Sequence, residues 1–221
     1  MARTRIKICC IGSVDEAELA VKQGVDALGL VGPMPSGPGV IDNGLIAAIA
    51  AKVPPPVATF LLTSETVPSA IVDHARACRT NTVQLVDHVA PDDYASIRKE
   101  LPGVRLVQVI HVEGWASIDE AVSMGRVADA LLLDSGRPSA QVRELGGTGR
   151  THDWSLSRAI VEATGCPIFL AGGLRPENVG EAIVQVRPYG VDLCTGVRTD
   201  GRLDPIKLNA FVETVERAGL T

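Results

Sequence analysis

The sequence predicts a single (β/α)8 barrel, and three observations carry that expectation. Short apolar runs of strand length alternate with longer helical patterns from one end of the chain to the other. Such alternation implies parallel strands joined by right-handed helical crossovers. The pattern repeats as eight strand–helix units of about 28 residues each, with no linker or low-complexity stretch between them, and eight units close most simply into a barrel. The length of 221 residues also suits one barrel, which runs to about 200–250 residues. The competing architecture, an open doubly wound sheet, wants a glycine-rich turn after the first strand. Cys9-Cys10-Ile11-Gly12 is a poor version of one.

Each element follows from its local pattern. Ile6–Ile11 reads as the first strand, and Ser13 then caps a helix with Asp15 and Glu16 in its first turn. Ala27–Val31 is the second strand. Gly32–Gly39 has Gly or Pro at six of its eight positions and is a loop. A helix near Leu45–Ala51 leads to the strand Val57–Leu62, and a helix over Val67–Ala77 to the strand Thr82–Leu85. Asp92–Glu100 is helical, Val104–Ile110 a strand, Ala116–Ser123 helical and Ala128–Leu133 the sixth strand. A long loop, Asp134–Asp153, precedes the helix Trp154–Ala163. The strand Pro167–Leu170, the helix Glu177–Val186, the strand Val191–Cys194 and the helix Pro205–Ala218 complete the chain.

Composition narrows the class of function. Hydrophobic residues make up 46% of the chain but aromatics only 3%. That describes an aliphatic interior suited to parallel strands covered on both faces. A net charge of −5 argues against nucleic acid or an anionic membrane as partner. No apolar stretch approaches the ~18 residues of a membrane span, and the N-terminus lacks the apolar run of a signal peptide. The five cysteines are irregularly spaced without a C-x-x-C pair, which fits a reducing, cytoplasmic setting. The four histidines show no metal-ligand spacing, and His74 and His88 read as exposed positions.

In such barrels the working groups sit where strands end and βα loops begin. Cys9 lies near the end of the first strand. Strand alternation should turn Cys10 the opposite way, so that one of the two faces the barrel mouth and the other the helix layer. Asp134 follows the apolar run Leu131-Leu132-Leu133 at the same rim. Such a carboxylate can cap a loop, or serve as a general acid whose pKa is raised by apolar surroundings. Three glycine-rich loops follow the sixth, seventh and eighth strands: Gly146-Gly147-Thr148-Gly149, Ala171-Gly172-Gly173 and Thr195-Gly196. Glycine lets backbone amides approach an anion, and the loops after the last two strands are the usual phosphate grip of this architecture. Gly147, Thr148, Gly149, Gly172, Gly173, Thr195 and Gly196 are therefore the candidate phosphate-binding residues.

These residues carry a resemblance. Lys7-Ile8-Cys9, Asp26-Ala27-Leu28-Gly29, Val83-Gln84-Leu85 and Leu131-Leu132-Leu133-Asp134 occur in order along the chain. So do Gly146-Gly147-Thr148-Gly149 with Asp153-Trp154-Ser155, Ala171-Gly172-Gly173-Leu174, Pro176-Glu177-Asn178-Val179 and Arg187-Pro188-Tyr189-Gly190-Val191-Asp192. Together they resemble the phosphoribosylanthranilate isomerase family of tryptophan biosynthesis, more closely in the C-terminal half than in the N-terminal half. The resemblance implies a cofactor-free Amadori rearrangement of an aminoaldose phosphate, with Cys9 as general base and Asp134 as general acid. It implies a phosphosugar substrate positioned by Lys7 and Gln84, no metal, and a monomer or homodimer.

The departures from the family pattern are specific. Cys10 replaces a glycine. The loop after the second strand reads Ser36-Gly37-Pro38-Gly39 where the family carries an arginine for the anthranilate carboxylate, and no Lys or Arg lies between Lys22 and Lys52. Val86-Asp87 follow Gln84-Leu85 in place of His-Gly, and Gln108 and His111 stand where strand five has Lys and Arg. These changes leave room for a paralogous isomerase or lyase acting on another phosphosugar, or for a non-catalytic phosphosugar-binding barrel.

Overall fold

The computed structural model describes residues 3–35, 37–136 and 152–219. Eight strands close into a barrel in chain order. They are β1 (Arg5–Ile8), β2 (Ala27–Val31), β3 (Ala58–Thr63), β4 (Thr82–Leu85), β5 (Arg105–His111), β6 (Ala130–Asp134), β7 (Ile168–Leu170) and β8 (Gly190–Leu193). Every neighbouring pair is parallel, and β8 returns to β1 in the register Arg5↔Gly190 to Ile8↔Leu193. The helices are α1 (Val14–Lys22), α2 (Asn43–Ala50), α3 (Pro68–Cys78), α4 (Tyr94–Glu100), α5 (Ala116–Met124), α6 (Trp154–Ala163), α7 (Val179–Val186) and α8 (Pro205–Ala218). The expected (β/α)8 barrel is therefore what the chain forms. Among the described residues, no helix is long and apolar enough to cross a membrane.

Element ends differ from expectation in a few places. The first strand stops at Ile8, not Ile11, because Cys10 adopts a left-handed backbone. A short hairpin, β9 (Arg198–Thr199) with β10 (Arg202–Leu203), lies between β8 and α8 and had no apolar run to announce it. Helix α2 starts two residues early because Asp42 caps it, accepting from the Leu45 amide at 2.9 Å. His74 is half-buried rather than exposed. Its ring bridges Thr63 Oγ1 (2.9 Å) and Asn43 Oδ1 (3.1 Å), bracing α3 against β3 and α2.

Two apolar shells follow from the alternation of strand side chains. Outward residues such as Ile6, Ile8, Leu28, Leu61, Val83, Leu106, Leu131 and Val191 pack beneath the helices. Inward residues, among them Ala27, Phe60, Leu62, Val107, Leu132 and Phe169, fill the barrel. Both faces of each strand are buried, which is why the strands read as continuous apolar runs. Gln108 belongs to the outer shell. It accepts from Tyr94 Oη at 2.7 Å and donates to the Asp87 carbonyl at 3.0 Å, so it is structural.

At the N-terminal end of the barrel a repeated device fastens strands in pairs. Asp26, just before β2, accepts from the Ile6 amide of β1 at 2.8 Å. Asn81, just before β4, accepts from the Thr59 amide of β3 at 2.9 Å. Asp129, just before β6, accepts from the Leu106 amide of β5 at 2.8 Å. Asp129 also pairs with Arg98 (2.9 Å) and Arg105 (3.2 Å), and Asp26 with Arg3. Burial opposes ionisation of Asp129, but the Leu106 amide and Arg98 outweigh it and hold the carboxyl below its usual range.

The Asp129 clasp generates a test. Asp129→Ala should lower unfolding stability by about 1–3 kcal/mol at neutral pH, the range for a hydrogen bond to a charged group. A lowered carboxylate pKa stabilises above the unfolded value of about 3.9 and ceases to do so as pH falls through the folded value. Urea titrations should therefore show the difference shrinking in acid. A difference independent of pH would mean the clasp is not electrostatic.

Candidate active site

The C-terminal ends of the strands surround a cavity with about 770 Å³ of empty space, partly open to solvent. Its mix of an apolar wall with a few convergent polar groups suits a small-molecule ligand. Val31, Met34, Leu62, Val86, Val109 and Leu132 form an apolar wall. Cys9, Cys10, Gln84, Asp134, Asp192, Cys194 and the Ala171–Leu174 loop supply the polar part. A larger hollow at the opposite end of the barrel is ringed by Arg3, Arg5, Arg105, Asp26 and Asp129. Its carboxylates already serve the clasps, so the chemistry belongs to the mouth.

The turn after β1 places the two thiols. Cys9 extends the β1 ladder by one bond, its amide donating to the Leu193 carbonyl at 2.8 Å. Cys10 then adopts φ +62°, a conformation costing a side-chain-bearing residue about 1–2 kcal/mol. That explains why the resembling family has glycine here. It also overturns strict alternation: Cys10 does not face the helix layer but lines the mouth with Cys9. Gly39 lies against it, so close that a Cβ there would come within 2.5 Å of Cys10 Cβ. The Cys10 thiol donates to the Pro38 carbonyl at 3.6 Å.

An ion pair holds this turn from outside. Arg198 pairs with Glu16 at 2.9 Å and donates to the carbonyls of Cys10 and Cys9. Glu16 also accepts from the Gly12 amide (3.0 Å) and the Leu203 amide (2.8 Å). Burial disfavours the Glu16 carboxylate, but Arg198 and the two amides outweigh it and lower its pKa. Sequence reasoning took Glu16 only for a first-turn acid and did not single out Arg198. A guanidinium distant in sequence, reaching back to β1, leaves no local signal.

Beneath the thiols lies a buried charge pair. Lys7 is fully buried and sits 2.9 Å from Asp192, its in-register neighbour on β8. Burial opposes the Lys7 charge, but Asp192 and then Cys9 outweigh it, so its pKa is raised. Gly29 makes the arrangement possible: a Cβ there would come within 2.9 Å of Cys9 Sγ and 3.1 Å of Lys7 Nζ. The ammonium and the thiol thus crowd one point on the inner wall, as expected from their two-residue spacing.

Asp134 ends β6 on the same inner face, 8% exposed. Burial pushes its carboxyl up, against the Ser135 amide (2.8 Å) and His111, while the Asp192 charge adds to the rise. His111 stands beside it in register on β5 and donates from Nε2 to the Val86 carbonyl at 3.1 Å. Gln84 reaches the mouth from β4, and its Oε1 is buried with no partner among the described residues. Asp192 Oδ1 is in the same condition. Buried acceptors are ordinarily satisfied, so both are positioned for a donor that enters the cavity.

The glycine-rich loops divide. Gly172 (φ +86°) and Gly173 (φ +64°) follow β7 and line the mouth, as does Thr195 after β8. Gly196 packs behind it, where a Cβ would come within 2.2 Å of the Leu174 carbonyl oxygen. Gly147, Thr148 and Gly149 lie outside the described residues. No Lys or Arg occurs among the described residues lining the mouth, and no cluster able to hold a metal ion occurs among the described residues.

Comparison with known proteins gives consistent relatives. A family model described as N-(5'-phosphoribosyl)anthranilate (PRA) isomerase matches residues 6–214. An N-(5'-phosphoribosyl)anthranilate isomerase from Methanocella arvoryzae is 38% identical over 213 residues, 96% of this chain and 98% of the relative. The phosphoribosyl anthranilate isomerase of Thermotoga maritima superposes with a TM-score of 0.83 at 28% identity, covering 97% of this chain and 99% of that one. Another solved isomerase, in complex with reduced 1-(o-carboxyphenylamino)-1-deoxyribulose 5-phosphate, superposes with a TM-score of 0.80 at 26% identity, covering 97% and 99%.

The electrostatics of Asp134 lead to a measurement on the fold. A carboxyl whose folded pKa is raised contributes stability below its unfolded value, about 3.9, and loses that contribution as pH rises through the folded value. Asp134→Asn should match the parent near pH ~4 and become the more stable protein as pH rises above it. Denaturant midpoints measured from that pH upward decide the matter. A variant less stable throughout would assign Asp134 to structure rather than chemistry.

Proposed function

The chain belongs to the N-(5'-phosphoribosyl)anthranilate isomerase family, and from that premise we propose that its mouth cavity catalyses the Amadori rearrangement of this aminoaldose phosphate with Cys9 as general base and Asp134 as general acid. The observation that carries the proposal is the convergence of that thiol and that carboxyl on one cavity whose rim bears the Gly172–Gly173 loop and Thr195.

The steps follow from the residues. Burial favours the protonated form of Asp134, whose proton passes to the ring oxygen, so that the ring opens to a protonated Schiff base. Cys9, as thiolate, removes the C2 proton to leave an enolamine, which tautomerises to the aminoketose. Lys7 stands beside the Cys9 thiol without leaving its partner Asp192. Gln84 Oε1 and Asp192 Oδ1, the two orphaned acceptors, take hydrogen bonds from sugar hydroxyls. Backbone amides of the Gly172–Gly173 and Thr195–Gly196 loops hold the phosphate, and the apolar wall receives the aromatic ring. No cofactor enters any step.

Steady-state turnover of phosphoribosylanthranilate, followed through the loss of its fluorescence, tests the assignment. Cys9→Ala and Asp134→Asn should each lower kcat by about 100-fold or more, the lower end of general acid–base contributions. KM should change far less. Retention of near-parental kcat in either variant would remove that residue from the mechanism.

A further inference from the structure

The turn that brings Cys9 to the mouth also brings two more thiols, and the isomerisation uses neither. Cys10 and Cys194 both line the cavity, and both are free. The Cys10 thiol, which donates to the Pro38 carbonyl, lies close enough to the thiols of Cys194 and Cys9 to interact with both. Extending the β1–β8 register by one step sets Cys9 beside Cys194, with Cys10 immediately beyond. We propose that Cys10 and Cys194 form a peroxide-sensitive dithiol, oxidised to a disulfide that bridges the ends of β1 and β8 beside the base.

The chemistry divides between the two sulfurs. Cys194 is the attacking thiol: the adjacent Cys10 thiol and the nearby Arg198 charge favour its thiolate against burial, whereas Cys10 is held protonated by its thiol neighbours and by burial. The Cys194 thiolate attacks one peroxide oxygen, the O–O bond breaks, and sulfenic acid and hydroxide result. Cys10 yields its proton to that hydroxide, giving water, and attacks the sulfenic sulfur. The departing hydroxide takes up the proton Cys194 had released. Two thiols and one peroxide thus give one disulfide and two waters. A bridge between Cys9 and Cys10 is disfavoured on geometry. Consecutive Cα atoms lie about 3.8 Å apart, short of the roughly 4.4–6.8 Å that a relaxed disulfide spans. Cys10 is also the residue that departs from the family's glycine.

Peroxide titration of the purified protein, followed by alkylation and peptide mass mapping, tests this without reference to turnover. The expected result is a single Cys10–Cys194 disulfide, with Cys9 still open to alkylation. Displacing the turn by even 1 Å can cost on the order of 10²-fold in rate, so activity should fall at least tenfold with the same peroxide dose and return with dithiothreitol. Cys10→Ser and Cys194→Ser, each compared with its own untreated sample, should form no bridge, and Cys10→Ser should instead leave Cys194 as a sulfenic acid open to dimedone trapping. Mapping that shows no bridge, a Cys9–Cys10 or Cys9–Cys194 bridge, or a Cys10–Cys194 bridge with unchanged activity would overturn the proposal. Because the mapping reads sulfur alone, its failure is distinct from any failure of the acid–base assignment.

Discussion

The mouth of this barrel depends on where the chain turns after β1, and that turn is held by the ion pair between Glu16 and Arg198. A backbone in the left-handed region at a cysteine is costly, and it persists only when its surroundings over-determine it. Here Arg198 takes the carbonyls of Cys9 and Cys10, and Glu16 takes the amide of Gly12. Three of the four residues Cys9–Gly12 are thereby held from one side, while Gly39 and the Pro38 carbonyl confine Cys10 from the other. The same carboxylate secures the β9–β10 hairpin through Leu203, so the first and last units of the barrel share one fastening.

Inside that fastening the barrel buries a lysine and two aspartates in a mostly aliphatic interior. A buried ion pair contributes little net stability, because desolvation consumes most of the Coulomb gain. The value of Lys7–Asp192 lies in position. It puts a fixed positive charge beside the Cys9 thiol and leaves one Asp192 oxygen without a partner among the described residues. Asp134 has its amide neighbour but no ion-pair partner among the described residues, and burial is the largest influence on it. Two carboxyls on one wall are thus driven to different roles by their surroundings.

Much of this was legible in the sequence, for reasons that can be named. Parallel strands covered on both faces must be apolar throughout, so runs such as Ala27–Val31 and Leu131–Leu133 announce themselves. The rule that working groups sit at strand ends placed Cys9 and Asp134 at the mouth, where both line the cavity, and the glycines after β7 mark positive φ. What escaped were relations between distant residues: Arg198 reaching back to the first turn, and Asp192 Oδ1 left without a donor. The orientation of Cys10 was missed because strand alternation holds only while φ stays negative. Residues 137–151, with three of the expected phosphate ligands, fall outside the described structure.

The clasps at the other end of the barrel bear on how the chain could be divided. Asp26, Asn81 and Asp129 tie β1 to β2, β3 to β4 and β5 to β6. The barrel is therefore not a uniform ring of eight staves but carries three braced doublets. A cut in the connections through α2 or α4 leaves every brace within one fragment. A cut through α1, α3 or α5 separates a side chain from the amide it serves. Fragments that reassemble, and permuted chains that still close, should accordingly favour breaks between doublets.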